Sequence, residues 1–296
     1  MRLAVPDLIS NSYFPAIAAA ELGFFRDEGL DIDHAELFFP VPKTMEGLRD
    51  GRFDFVAGAA HATLQAFPDW RGARLLAALA QHMYWFLVLR ADLGARRGQL
   101  DKVRGLRIGA APGPDLGLIR LLREAGLEPG RDVRVGPVPG TSASSTSFGV
   151  TAAQALADGR IDGFWANGMG AEIAVRQGVG TVVLDIRRGD GPPAARHFTF
   201  PALVARADCP PKRAAAAVRA LTRAHQALRE DPSRAAAIAQ GLFPPLEASL
   251  IAELVARDAP YYDPAISRVT FAALQQFALD VGLLSQPAPY DPVVWS

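Results

Sequence analysis

The chain has 296 residues, a length that at about 150 residues per domain favours two domains. Its hydrophobic content of 50% and charged content of 21% suit a chain that buries a large core. Its 31 basic and 31 acidic side chains balance with no Lys/Arg run, which makes nucleic acid and anionic membrane surfaces poor partners. No apolar stretch approaches the roughly 18 residues that a bilayer span needs.

In chain order, "RLAVP" (2–6) reads as a strand that ends at a proline. In "LISNSYFPAIAAAELG", Ser12 is placed to cap a helix that has Pro15 in its first turn and Gly23 at its end. Phe24 and Phe25 are expected to fold back onto the core, and Gly29 turns the chain into a strand over "LDIDHAELFF". Such a strand–helix–strand unit predicts two parallel strands.

The segment "EGLRDGRFDFVAG" (46–58) returns as "QALADGRIDGFWA" (154–166), 108 residues further on. The shared core, Leu-x-Asp-Gly-Arg-apolar-Asp, predicts a helix that ends at Gly51 or Gly159 and a strand opened by Asp54 or Asp162. "LLREAGLEPGRDVRV" (121–135) repeats the helix–glycine–strand grammar of the first unit. Two copies so far apart indicate two α/β domains of similar plan rather than a solenoid. "YWFLVLRADLG" (84–94) and "HFTFPALVARADC" (197–209) read as the strands that cross between them. The expected division is therefore a discontinuous domain of 1–90 with 198–296, and a second of 91–197. Helices follow over 212–230, after Asp231–Pro232, and over about 268–282.

The helix with "ELGFFRDEGLDID", the "LRDGRFDFVAG" turn, the crossing strands and the closing "FALDVGLLSQPAPYDPVVW" resemble the NMT1/THI5-like group of substrate-binding proteins. That resemblance covers essentially the whole chain and implies an α/β, two-lobed, periplasmic-binding-protein-like (type II) fold. Each lobe would carry a mostly parallel sheet flanked by helices, with a helical C-terminal extension and hinge closure over a ligand. The group implies a small-molecule ligand, an ABC permease as partner, and no cofactor. The location implied is periplasmic or extracytoplasmic if a leader was removed, and otherwise cytoplasmic, because "MRLAV" begins as a strand.

In open α/β sheets ligands sit beyond the carboxyl ends of the strands, which picks out the candidate loops. After the first strand, Asn11 and Ser12 offer short polar groups beside a helix N-terminus suited to an anion, with Tyr13 as flat apolar surface; capping by Ser12 is the alternative. Phe39 is the better placed of the Phe38–Phe39 pair. His61, after the third strand, reads equally as a ligand contact or a structural histidine. In "AQHMYWF", His82 and Tyr84 are expected on one strand face, with Met83 and Trp85 on the other. Pro112 lies in a Gly/Pro turn without the Gly-Lys-Ser/Thr of a nucleotide loop, and Asp115 reads as a helix-terminal capping acid. Ser142 and Ser145 belong to a hydroxyl-rich loop that either clamps a ligand or lies on the surface. Trp165 with Asn167 pairs an aromatic face with an amide, suited to a planar ligand with a polar edge. Arg196, with Arg187 and Arg188, either pairs a carboxylate or is solvated. "GMGAEIA" is a mere fragment of a dinucleotide fingerprint.

The same scaffold also carries enzymes, a desulfinase and a pyrimidine synthase among them. Cysteine usage argues against that reading. The lone Cys209 sits in the turn "DCPPKR", and Ser12 is the nearest equivalent of the desulfinase nucleophile. A cytosolic ligand sensor is a third reading. The five histidines have no paired spacing, so no metal site is expected.

Overall fold

The computed structural model describes residues 1–141 and 147–295. The strands are β1 (Leu3–Val5), β2 (Ala35–Leu37), β3 (Phe55–Ala59), β4 (Ala73–Ala78), β5 (Phe86–Arg90), β6 (Arg107–Ala110), β7 (Arg134–Gly136), β8 (Gly163–Ala166), β9 (Gly180–Asp185) and β10 (Pro201–Arg206). The first helices are α1 (Phe14–Glu21), α2 (Phe24–Asp27), α3 (Val41–Arg49), α4 (Thr63–Ala66), α5 (Pro114–Glu124), α6 (Phe148–Ala157) and α7 (Gly168–Arg176). The C-terminal ones are α8 (Pro211–Glu230), α9 (Arg234–Gln240), α10 (Pro245–Asp258), α11 (Arg268–Asp280) and α12 (Tyr290–Val293). Two compact units result, Met1–Gln81 with Thr199–Ser296, and His82–Phe198.

Each unit holds one mixed five-stranded sheet, in the order β2-β1-β3-β10-β4 for the first and β7-β6-β8-β5-β9 for the second. In the first, β1 runs parallel to β2 and β3, while β10 is antiparallel to β3 and β4. In the second, β6 runs parallel to β7 and β8, while β5 is antiparallel to β8 and β9. Substituting element for element, the two orders are the same.

The sequence repeat is the reason. In the first copy the Asp54 N–H donates to the Arg2 carbonyl at 2.9 Å, and the Arg2 N–H donates to the Asp54 carboxylate at 2.8 Å. In the second copy the Asp162 N–H donates to the Arg107 carbonyl at 2.9 Å, and the Arg107 N–H donates to the Asp162 carboxylate at 2.9 Å. Each aspartate thus pins the start of one strand to the start of its parallel neighbour at two points. The preceding helices end alike. Gly51 and Gly159 adopt φ of +76° and +69°, a left-handed conformation that glycine enters without Cβ strain. The next N–H, of Arg52 or Arg160, returns to the carbonyl of Gly47 or Ala155. The apolar residue of the motif, Phe53 or Ile161, is then buried.

Three expectations change in detail. The strand expected over 30–39 shortens to Ala35–Leu37, although Leu30 and Ile32 are buried as expected. Phe25 enters the core, whereas Phe24 stays half-buried beneath the Arg223 guanidinium, 4.4 Å from its ring centre. The crossing segment does not extend through 82–85, because His82 adopts φ +68° and strand geometry begins only at Phe86.

Gly170 of "GMGAEIA" serves packing. Helices α6 and α7 approach so closely that a Cβ on Gly170 would lie 2.4 Å from the Gly149 carbonyl oxygen. Gly170→Ala is expected to lower unfolding free energy by about 1–3 kcal/mol, read from urea unfolding, because backbone rather than a flexible side chain must give way. Asp162→Ala, which leaves the Arg107 N–H without its carboxylate, is expected to cost about 1–3 kcal/mol in the same measurement. Asp54→Ala should act with the same sign.

Candidate functional site

In the first unit the carboxyl ends of β1 and β3 lie level with the start of antiparallel β10, since Ala59 faces Pro201. The loop after β1 folds on itself. Asp7 Oδ1 accepts the Ile9 N–H at 3.0 Å, and Ser10 Oγ accepts the Ser12 N–H at 3.2 Å. Ser12 does not cap α1, whose N-cap is Tyr13. Pro15 brings no N–H to the first turn, and the N–H groups of Ala16 and Ile17 both reach the Tyr13 carbonyl. The Ser12 hydroxyl therefore has no hydrogen-bond partner among the described residues, although the side chain is fully buried. Asn11 is also buried, and its Nδ2 donates to Asp258 Oδ2 at 2.6 Å, a partner 247 residues away at the end of α10. Tyr13 is buried beside them.

His61 sits in a 3-10 turn, Ala60–Ala62, that directly follows β3. Its Nδ1 pairs with Thr199 Oγ1 at 3.0 Å, and its ring packs edge-on to Phe277 at 5.5 Å. Phe38 is held between Phe53, with ring centres 5.3 Å apart, and the Arg52 guanidinium at 4.3 Å, while Phe39 is half-buried in the extended segment after β2.

In the second unit Ala110 faces Trp165, and Phe86 faces both Ala166 and Asp185. The ends of β6, β8 and β9 and the start of β5 therefore share one edge. Tyr84 and Trp85 arrive there buried, with ring centres 4.7 Å apart, and Trp85 lies 5.9 Å from Trp165. The Arg187 guanidinium lies 5.8 Å from the Tyr84 ring and is itself buried. Trp165 has no exposed surface, and its indole N–H donates to the Pro114 carbonyl at 3.1 Å. Asn167 is the N-cap of α7, with Oδ1 accepting the N–H groups of Met169 and Gly170 at 3.1 and 3.4 Å. Its carbonyl is thus occupied by the helix.

His82 and Tyr84 do not share a strand face. The left-handed turn at His82 sends its ring toward His197, 5.1 Å away, and the Met83 N–H to the Arg196 carbonyl. Arg196 is half-buried, with Nε unpartnered among the described residues. Pro112 is exposed in the turn after β6. Asp115 Oδ1 accepts the Gly113 N–H at 2.9 Å; burial pushes its carboxyl up, against the pull of the N–H groups around it. Ser142 and Ser145 lie outside the described residues.

Sequence reasoning missed Asp258 and Thr199. Each reaches its partner across more than a hundred residues, so no local spacing signals it. Among the described residues, no group of three or more His, Cys, Asp or Glu side chains could hold a metal ion, and no helix is long and apolar enough to cross a membrane.

The sequence profile of the NMT1-like family matches residues 9–242. No curated relative matches the chain. Among solved structures, the alkanesulfonate-binding protein SsuA from Xanthomonas axonopodis pv. citri, bound to MOPS, is 16% identical. It aligns over 100% of this chain and 97% of its own, with a TM-score of 0.75. The periplasmic nitrate-binding protein NrtA from Synechocystis is 17% identical over 99% of this chain and 85% of its own, with a TM-score of 0.68. The ligand-binding component of an ABC-type import system from Staphylococcus aureus, with zinc bound, is 15% identical over 100% and 97%, with a TM-score of 0.71.

Two histidines tie stability to acid. Burial, aided by Arg196, His197 and Arg187, pushes His82 from 6.5 down to about 4. Burial likewise pushes His225 to about 4, although its Nε2 meets the Leu79 carbonyl at 2.8 Å. Between those values the unfolded chain binds protons that the folded chain refuses, so stability rises with pH. The melting temperature is expected to fall as pH drops from about 6.5 to about 4, with the His225 ring resonances titrating near pH 4 in NMR.

Proposed function

The chain belongs to the NMT1-like family, and from that premise we propose that it is a substrate-binding protein for a small organic anion or planar heteroaromatic molecule, serving an ABC importer. The observation that carries this reading is the double placement of polar and aromatic side chains. Each unit gathers them at the carboxyl edge of its own sheet, where α/β sheets bind ligands. In the first unit the set is Asn11, Ser12 and His61 beside Thr199. In the second it is Tyr84, Arg187 and Arg196, with Trp85 in ring contact with both Tyr84 and Trp165.

The fold relatives include proteins named for binding an alkanesulfonate and nitrate and for serving ABC-type import, which supports the ligand class and the transporter partner. In this reading the two compact units are the two lobes of the binding protein, and its place is outside the cytoplasm, as for the periplasmic nitrate-binding relative.

Native mass spectrometry of freshly purified protein is expected to show a co-purified small molecule. In thermal-shift titrations, at least one class among sulfonates, carboxylates and pyrimidines should raise the melting temperature. His61→Ala should weaken that binding by about tenfold or more, the worth of one hydrogen bond to a ligand polar group. A blank across all three classes, with no co-purified molecule, defeats the proposal.

A further inference from the structure

We infer that Asp258 sets the ligand chemistry at the first unit's sheet edge: it turns the Asn11 amide so that a ligand must present an N–H donor there. This rests on the reading of Asn11 as a ligand contact. The Asn11 atom 2.6 Å from Asp258 Oδ2 is its Nδ2, the donating end of the amide. The amide's other end is fixed by that choice. Oδ1, with no partner among the described residues, is left as an acceptor in a side chain that is only 2% exposed. A buried acceptor of this kind gains from a donor and loses from another acceptor.

The surrounding charge points the same way. The buried acids of this unit include Asp258 and also Asp7, which lies in the same loop as Asn11. No lysine or arginine is buried in this unit among the described residues. A sulfonate, nitrate or carboxylate at Asn11 would meet the carbonyl oxygen of an amide whose donor end is already held by Asp258. The neighbouring Ser12 hydroxyl, buried and unpartnered, can donate or accept and so completes a mixed edge. The ligand class that satisfies this edge is a neutral amide, an amidine or an amino-substituted heterocycle. An oxyanion does not satisfy it.

The test uses the full chain and four probes of one shape: benzamide, N,N-dimethylbenzamide, benzoate and benzenesulfonate, titrated by ligand-observed NMR. Benzamide is expected to bind at least about tenfold more tightly than each of the others, the ratio that one hydrogen bond supplies. Asp258→Asn places an amide that can donate to Asn11 Oδ1 and release its Nδ2, so the preference should shrink at least about fivefold or pass to benzoate. Benzenesulfonate or benzoate binding as tightly as benzamide overturns the inference while leaving small-molecule binding intact. So does equal binding of the dimethylated amide, or an unchanged preference in folded Asp258→Asn. If that variant fails to fold, the wild-type ranking alone decides. If none of the four probes binds, a co-purified molecule read by mass spectrometry decides instead: an N–H donor supports the inference and its absence overturns it. Silence of all four probes, together with a blank across sulfonates, carboxylates and pyrimidines and no co-purified molecule, removes the proposed function itself.

Discussion

The molecule depends on a two-point clamp made by a single side chain. An aspartate at the mouth of a strand gives its own N–H to a neighbouring carbonyl and takes the neighbour's N–H on its carboxylate, at Asp54 with Arg2 and at Asp162 with Arg107. In a parallel pair the register has no hairpin to set it, so an end clamp does that work. The strands concerned are three to five residues long. A slip of one residue would carry the far end by about 3.3 Å and turn every side chain to the other face. Asn11 and His61 hang from those far ends. Asp258 and Thr199 then hold the two side chains locally.

The two edges then differ in chemistry despite a shared plan. The first is rich in acceptors, with Asp258 bonded to Asn11, Asp7 buried in the same loop, and no lysine or arginine of that unit buried among the described residues. The second is cationic and aromatic, with Arg187 buried against Tyr84 and Arg196 close to His82 and His197. Most other arginines form exposed ion pairs, such as Arg71 with Asp69 or Arg268 with Asp291, and pairs of that kind contribute little. Arg187 is of another kind, since a guanidinium 1% exposed is costly unless it is partnered.

Much of the fold was legible because glycines and aspartates act locally. The Leu-x-Asp-Gly-Arg-apolar-Asp repeat foretold equivalent turns, and α8 and α11 follow from helix-forming composition closed by Asp231 and Gly282. The site was less legible because its side chains serve two masters. Asn167 was readable as an amide at a strand end, but not that the helix it opens would take its carbonyl. Ser12 looked like a cap, yet Pro15 removes an N–H that a cap would satisfy. His82 was placed by alternation, which its left-handed backbone breaks. Asp258 lies 247 residues from Asn11, a distance over which periodicity carries no information.

Strand β10 is threaded between β3 and β4, although the whole second unit, His82–Phe198, lies between it and β4 in sequence. On a translating ribosome the second sheet has all five of its strands available before β10 is made. The first sheet, by contrast, must wait with its middle missing. The inserted segment is thus positioned to fold early and hold the chain ends near each other. That shortens the loop that β10 must close to complete the earlier half.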